Sequence, residues 1–141
     1  MRILIVEDSE RRTDFLLRQC AGHEVAVATT AREAIKLLGK TTFDLLFLDY
    51  NLADSSGNGL DVARHLRTLG GADTPSIVHS EDMTAARAMV ALLSRSRAYP
   101  FFMLKDLADG HSPAEWIAQC LSMCGAPQRG AGSDGQGCAK V

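Results

Sequence analysis

Short apolar runs alternate along this chain with longer segments in which apolar residues recur three and four positions apart. Runs of the first kind are typical of strands buried in a parallel sheet, and segments of the second kind are typical of amphipathic helices. The pattern predicts five strands and five helices, and Ser112, Pro113 and Glu115 are a strong start signal for the last helix. The predicted strands cover residues 3–6, 24–28, 43–49, 76–80 and 99–104.

Regular alternation of strand and helix indicates an α/β fold with right-handed crossovers. We therefore predict a doubly wound five-stranded parallel sheet with the flavodoxin-like strand order 2-1-3-4-5. Residues 1–124 are expected to form one domain. Residues 125–141 are rich in Gly, Ser, Ala and Gln, which predicts a flexible C-terminal tail.

The overall composition excludes several classes of protein. Of the 141 residues 46% are hydrophobic, which is enough for a core, and the net charge of −2 speaks against a nucleic-acid surface. No apolar run approaches the roughly 18 residues of a membrane span, and we expect a cytoplasmic protein that binds no membrane. The four cysteines lack the paired CxxC spacing of zinc sites and are expected to be free thiols.

Three acidic residues stand where predicted strands end. Glu7 and Asp8 follow the first strand, and Asp49 ends the third. In the predicted order these strands are neighbours, and ligands of such sheets bind beyond the carboxyl ends of the strands. Because clustered carboxylates repel one another unless a cation lies between them, the sequence predicts a Mg²⁺ site formed by these acids.

The residues around this edge suit phosphoryl transfer. Asp49 would contact the metal and attack phosphorus as a carboxylate nucleophile, and the backbone carbonyl of Asn51 would be a further metal ligand. Lys105, expected at the end of strand five, would neutralise phosphoryl charge, and Ser80 would donate a hydrogen bond. His79 is either a general acid or base or only a partly buried polar residue. Arg11 and Arg12 open helix one and are expected to face solvent, with contact to a kinase partner or a phosphate as the alternative.

With these residues in this order, the chain resembles the receiver domain of two-component response regulators over residues 1–124. The resemblance implies that Asp49 accepts a phosphoryl group from a sensor histidine kinase or a phosphotransfer protein. It also implies a switch in which Ser80 moves with an aromatic residue of strand five, for which Phe102 has the matching position. Signalling would then use the face formed by helix four, strand five and helix five, which would contact a downstream protein target.

Too few residues follow Lys105 for an output domain, so we expect a stand-alone receiver, monomeric or weakly dimeric. Its chemistry would be limited to its own phosphorylation and dephosphorylation, so that it is most simply not an enzyme. Four features depart from the usual receiver pattern, one of which is the unusually aromatic stretch at residues 99–104. Ala53 and Asp106 stand where receivers usually have proline, and the helix start at Gly59 indicates an insertion in the active-site loop.

A second resemblance is to a divergent receiver branch proposed to process cyclic phosphates. It rests on residues 57–64 and on the His79-Ser80 pair, whereas Tyr50 and Asn51 stand where that branch tends to have a histidine and an acid. Two alternatives to the phosphorylated receiver therefore stay open. One is a Mg²⁺-dependent enzyme that processes a cyclic phosphate, and the other is a degenerate receiver that acts as a binding module without phosphorylation.

Overall fold

The computed structural model describes residues 1–53 and 55–125, and its five parallel strands follow the predicted order β2-β1-β3-β4-β5. The strands are β1 (Arg2–Val6), β2 (Glu24–Ala28), β3 (Leu45–Leu48), β4 (Ser76–Val78) and β5 (Ser96–Ala98). The helices are α1 (Glu10–Gln19), α2 (Ala31–Lys40), α3 (Gly59–Thr68), α4 (Met83–Leu92), α5 (Phe101–Ala108) and α6 (Pro113–Met123).

The sheet separates two hydrophobic cores because successive strand residues point to opposite faces. On one face Leu4 and Val6 of β1 pack with α2, α3 and α4, and on the other face Ile3 and Ile5 pack with α1, α5 and α6. The second core centres on Trp116 of α6, whose indole stacks on Phe47 at 5.5 Å and donates a hydrogen bond to a backbone carbonyl of α5. The strand ends above these cores are thus held rigidly in place.

The helix starts agree with the capping residues in the sequence. Ser9 caps α1, Thr30 caps α2 and Ser112 caps α6, each accepting a hydrogen bond from a backbone N–H of the first turn. The third helix begins at Gly59 after the cap residue Asn58, as predicted. These caps fix where the loops at the carboxyl edge of the sheet end.

Strand five was predicted in the wrong place. The strand is Ser96–Ala98, and the apolar residues after Pro100 form the helix α5, which makes a sixth helix. Proline lacks the N–H that a strand interior needs but is tolerated at the start of a helix. Phe101 and Leu104 are buried while Phe102 is exposed, which is the spacing of a helix face.

The described cysteines are buried free thiols, as expected. Cys20, Cys120 and Cys124 lie in the second core, and burial raises the pKa of each thiol, for Cys20 to about 12. Cys138 and the predicted flexible tail lie outside the described residues, apart from Gly125. Among the described helices, none has the length and apolar character that crossing a bilayer requires.

Candidate functional site

Three buried polar side chains meet at the carboxyl edge of the sheet. Glu7 follows β1, Asp49 follows β3 and His79 follows β4, and each offers one ligand atom within 4.8 Å of the others. Glu7 and His79 are 0% exposed and Asp49 is 2% exposed. The parallel order β1-β3-β4 brings the three strand ends side by side, so this grouping follows directly from the topology.

Several polar atoms of this cluster lack a hydrogen bond. Nδ1 of His79 lies 3.4 Å from Oε2 of Glu7, but neither atom makes a hydrogen bond within the described structure, and neither does Nε2 of His79. The second carboxylate oxygen of Glu7 accepts a hydrogen bond from the backbone N–H of Ser9. Buried polar atoms without partners are costly and rare, and their presence here indicates a place where a ligand binds.

Burial dominates the protonation of the cluster. It raises the pKa of Glu7 to about 8, with a further contribution from the nearby Asp49 carboxylate, and it raises the pKa of Asp49 to about 6. Burial also lowers the pKa of His79 to about 3, so that its imidazole is neutral near pH 7. Near pH 7 Glu7 mostly keeps its proton, and its release would leave two carboxylates beside a neutral imidazole, a set of electron-pair donors suited to a divalent cation.

Arg12 supplies the positive charge of the site. Its Nη1 lies 3.8 Å from Oε2 of Glu7 and 3.8 Å from Oδ2 of Asp49, while its Nη2 lies 3.8 Å from Oε2 of Glu81. The guanidinium also lies over the ring of Phe101, 5.5 Å from its centroid. The sequence had placed Arg12 in solvent, and this was wrong, because only 30% of its side chain is exposed.

The other predicted residues at this edge are close by. Asp8 is exposed, and its negative charge adds to the effect of burial in raising the pKa of Asp49. The backbone N–H groups of Tyr50 and Asn51 interact with the Asp49 carboxylate, so the Asn51 amide is turned to the site. Ser80 is buried after β4, and its hydroxyl oxygen accepts a hydrogen bond from the backbone N–H of Asp82.

Lys105 and Phe102 do not lie where the sequence predicted. Both are on α5 and not on or after β5, and both line a pocket between α1 and α5. Phe102 is 62% exposed, so it is not a core aromatic of a strand-five switch. This correction follows from the misplaced strand, since the assumed strand end at Lys105 is the interior of a helix.

The positions of two residues of the site, Arg12 and His79, follow from features of the sequence. Ser9 caps α1, which puts Arg12 in the first turn, where side chains lean toward the helix N-terminus and thus toward the sheet edge. His79 directly follows a strand that neighbours β3, so its position beside Asp49 follows from the predicted strand order.

Gly59 gives the backbone behind Asp49 room to pass. Its N–H donates to the carbonyl of Tyr50, and a Cβ atom at this position would collide with the backbone oxygen of Asp49 and the Cα of Tyr50. Because the neighbouring atoms are backbone, the strain cannot be relieved by a rotamer change.

We expect Gly59→Ala to lower the free energy of unfolding by about 2 kcal/mol, measured by urea denaturation. Gly39→Ala is the matched control, because Gly39 is also helical and a Cβ there meets nothing within 4 Å. That control should raise stability by roughly 0.5–1 kcal/mol. Equal effects at both positions would contradict the role assigned to Gly59.

Residues 2–95 match the family model described as "Cyclic-phosphate processing Receiver domain". Among curated proteins, the chain is 39% identical over 94 residues to the alginate biosynthesis transcriptional regulatory protein AlgB of Pseudomonas aeruginosa, covering 64% of this chain and 20% of that protein. It is 41% identical over 68 residues to AlgB of Pseudomonas putida, a match that covers 47% of this chain and 15% of that protein. The chain therefore spans about a fifth or less of these relatives.

Solved structures with a similar fold include receiver domains. The Francisella response regulator 1452 receiver domain has a TM-score of 0.61 at 17% identity, covering 87% of this chain and 95% of that one. A CheY-like receiver domain protein of Methanospirillum hungatei JF-1 has a TM-score of 0.64 at 20% identity. The match covers 87% of this chain and 92% of that one. The non-phosphorylated HemR receiver domain of Leptospira biflexa has a TM-score of 0.63 at 23% identity. The match covers 91% of this chain and 97% of that one. At these identities the likeness concerns the fold alone.

Proposed function

Because the chain belongs to the family of cyclic-phosphate processing receiver domains, we propose that it hydrolyses a cyclic phosphate ester at the cluster of Glu7, Asp49 and His79. The observation that carries this proposal is the buried, neutral His79 beside the two carboxylates. A further reason is that Lys105 and Phe102, which a phosphorylation switch would use, lie on α5.

The donor set fits a divalent cation, and we propose that the reaction depends on Mg²⁺ or a similar ion. Glu7 Oε2 and both ring nitrogens of His79 have no hydrogen bond in the described structure, and one oxygen of Asp49 lies within 4.8 Å of a candidate ligand atom of each of these residues. Asp8 follows Glu7 directly and stays a candidate ligand, and so does the backbone carbonyl of Asn51, whose N–H interacts with the Asp49 carboxylate. A bound cation supplies positive charge to the phosphoryl oxygens of the substrate.

The residues of the chain then have separate tasks. Hydrolysis adds water to phosphorus and breaks one ester bond of the ring, so that a phosphate monoester and a free hydroxyl group form. We assign Asp49 to the attacking water, as the acceptor of its proton. Arg12 would donate hydrogen bonds from its forked N–H groups to the phosphoryl oxygens, the role that Lys105 was expected to have. Ser80 would donate its hydroxyl hydrogen to the same group.

The test is ³¹P NMR of the protein with a nucleoside 2′,3′-cyclic phosphate and Mg²⁺ or Mn²⁺. We expect a monoester signal to appear with wild type and not with Asp49→Asn, Arg12→Ala or added EDTA. Asp14→Asn is the control, since Asp14 is an exposed acid of the same helix as Arg12. Equal conversion by wild type and Asp49→Asn would show that the activity, if any, arises elsewhere.

A second candidate is phosphorylation of Asp49 itself by a histidine kinase or a phosphotransfer protein. It is favoured by the position of Asp49 directly after β3 and by the identity to AlgB, a transcriptional regulator. A cytoplasmic location and a downstream protein target belong to this candidate as predictions. Its test is the intact mass after incubation with Mg²⁺ and acetyl phosphate, where one added phosphoryl group in wild type and none in Asp49→Asn would support it.

The degenerate receiver is the outcome that remains when both tests are negative. A protein that binds a divalent cation but neither opens a cyclic phosphate nor gains a phosphoryl group would act as a binding module.

A further inference from the structure

A cationic pocket opens beside the cluster of Glu7, Asp49 and His79. It has a volume of about 290 Å³ and lies between α1 and α5, with the loop after β4 at its side. This size is close to the lower end of the range of small-molecule sites. Its cations are Arg11, Arg12, Arg18 and Lys105, against the single acid Glu81. Such a concentration of positive charge in a chain of net charge −2 indicates an anionic ligand.

Three of these cations are available to a ligand. Within residues 1–53 and 55–125, Arg11, Arg18 and Lys105 make no ion pair with a carboxylate, and all three are exposed. Arg12 differs, because it is already shared between Glu7, Asp49 and Glu81. The pocket therefore offers charge for a group other than the one that Arg12 would contact at the acidic cluster.

The pocket also contains aromatic surface. Phe102 is 62% exposed, the largest exposed fraction among the large hydrophobic residues described, although it lies one position from the buried Phe101. An exposed ring among cations has a flat face on which an aromatic ligand can stack. Phe101 connects the pocket to the cluster, since its ring lies 5.5 Å from the Arg12 guanidinium and 5.8 Å from the His79 ring.

We infer that this pocket selects the substrate, and that the substrate is a nucleotide with a phosphate group in addition to the one processed at the cluster. The inference rests on the proposed function for the position of the reacting phosphate. The base would stack on Phe102, and the additional phosphate would be bound by Arg11, Arg18 and Lys105. The continuity of the pocket with Arg12 allows one molecule to occupy both places.

The experiment is isothermal titration calorimetry in EDTA, which separates binding in the pocket from the reaction. The probes are adenosine 3′,5′-bisphosphate, adenosine 3′-monophosphate, ribose 5-phosphate and inorganic phosphate. We expect wild type to bind the bisphosphate about tenfold more tightly than the monophosphate. Phe102→Ala should weaken the binding of adenosine 3′,5′-bisphosphate about tenfold and leave the binding of ribose 5-phosphate unchanged. Lys105→Ala should weaken the binding of adenosine 3′,5′-bisphosphate, the probe with a second phosphate group, by a similar factor.

Matched controls are available outside the pocket. Met103 is an exposed apolar neighbour on α5 outside the pocket, and Lys40 is an exposed lysine of α2. Met103→Ala and Lys40→Ala should bind all probes as wild type does. The inference is overturned if Phe102→Ala and Lys105→Ala also bind as wild type, or if inorganic phosphate binds as tightly as the nucleotides.

The result also separates this inference from the proposed function. Selective nucleotide binding without any opening of a cyclic phosphate would leave the pocket standing and remove the reaction. Conversely, opening of a cyclic nucleotide at the same kcat/KM by wild type, Phe102→Ala and Lys105→Ala would leave the reaction standing and remove the pocket as its specificity site.

Discussion

Replacing Glu7 by glutamine is expected to stabilise the metal-free protein above pH 7 and to abolish its binding of divalent cations. The carboxylate of Glu7 is fully buried, one of its oxygens has no hydrogen bond in the described structure, and Asp49 adds like charge nearby. Glutamine has the same shape without the charge, so the cost of burying an ionised group disappears. The same change removes the negative charge that a cation requires.

The pH dependence of stability has a definite sign. Burial raises the pKa of Glu7 from its ordinary value of 4.5 to about 8. Between these values the folded protein keeps a proton that the unfolded chain has released, so the free energy of unfolding falls as pH rises. His79 acts in the opposite direction, because burial lowers its pKa from 6.5 to about 3, but this effect ends near pH 6.5. Asp49, with its pKa raised to about 6, no longer contributes above that pH.

The window from pH 6.5 to about pH 8 therefore isolates Glu7. In EDTA we expect wild type to lose at most about 2 kcal/mol across it, or about 5 °C in Tm, and Glu7→Gln to lose little. Scanning calorimetry at both pH values is the measurement. Glu10→Gln, which alters an exposed acid at the start of α1, is the control and should follow wild type.

Metal binding gives the second part of this prediction. Addition of Mn²⁺ to wild type should raise Tm, by an amount equivalent to about 2.7 kcal/mol at a concentration one hundred times Kd. Glu7→Gln should show no such increase at the same concentration. If Glu7→Gln were instead less stable than wild type at pH 8 in EDTA, the ion pair of Glu7 with Arg12 would outweigh the burial cost, and our account of the cluster would be wrong.

The sequence predicted the central part of the fold well because its signals there are redundant. In β1 and β3 every residue from Ile3 to Val6 and from Leu45 to Leu48 is fully buried, so the strands read as continuous apolar runs. Each helix after them begins at a capping residue that the sequence displays. With the strand order fixed by these elements, the meeting of Glu7 and Asp49 follows from the position of the strand ends.

The same reasoning failed at β5 for a physical reason. This strand lies at the edge of the sheet, pairs only with β4 and consists of Ser96, Arg97 and Ala98, so it has no apolar run. The apolar run that follows is six residues long, a length at which a buried strand and a helix face cannot be told apart by periodicity alone. The proline inside that run was the available signal, and Phe102 and Lys105 were misplaced with it.

The region in which the strand was misplaced, residues 99–104, also lies outside the family match. The match covers residues 2–95 and ends before β5, so α5 lies outside it. The site thus has one part within the matched residues, at Glu7 and Asp49, and one part beyond them, at Phe101, Phe102 and Lys105. We expect the first part to determine the chemistry and the second to determine the ligand.

Replacing His79 by asparagine is expected to remove a preference of the protein for Mn²⁺ over Mg²⁺. Mg²⁺ is bound mainly by oxygen, whereas an imidazole nitrogen favours the later transition metals. His79 is neutral near pH 7 and fully buried, and both of its ring nitrogens are without hydrogen bonds in the described structure. Asparagine keeps a polar oxygen at the position but removes the nitrogen donor.

Wild type should bind Mn²⁺ more tightly than Mg²⁺, and His79→Asn should lose about 100-fold in Mn²⁺ affinity while Mg²⁺ affinity changes much less. Calorimetric titration gives both constants, and the EPR spectrum of bound Mn²⁺ reports the change in coordination directly. His111→Asn is the control, since His111 is exposed after α5. If His79→Asn retained the ratio of the two affinities, the imidazole would be a buried polar neighbour of the cation, held against Glu7 and Phe101, and the ligands would all be oxygens.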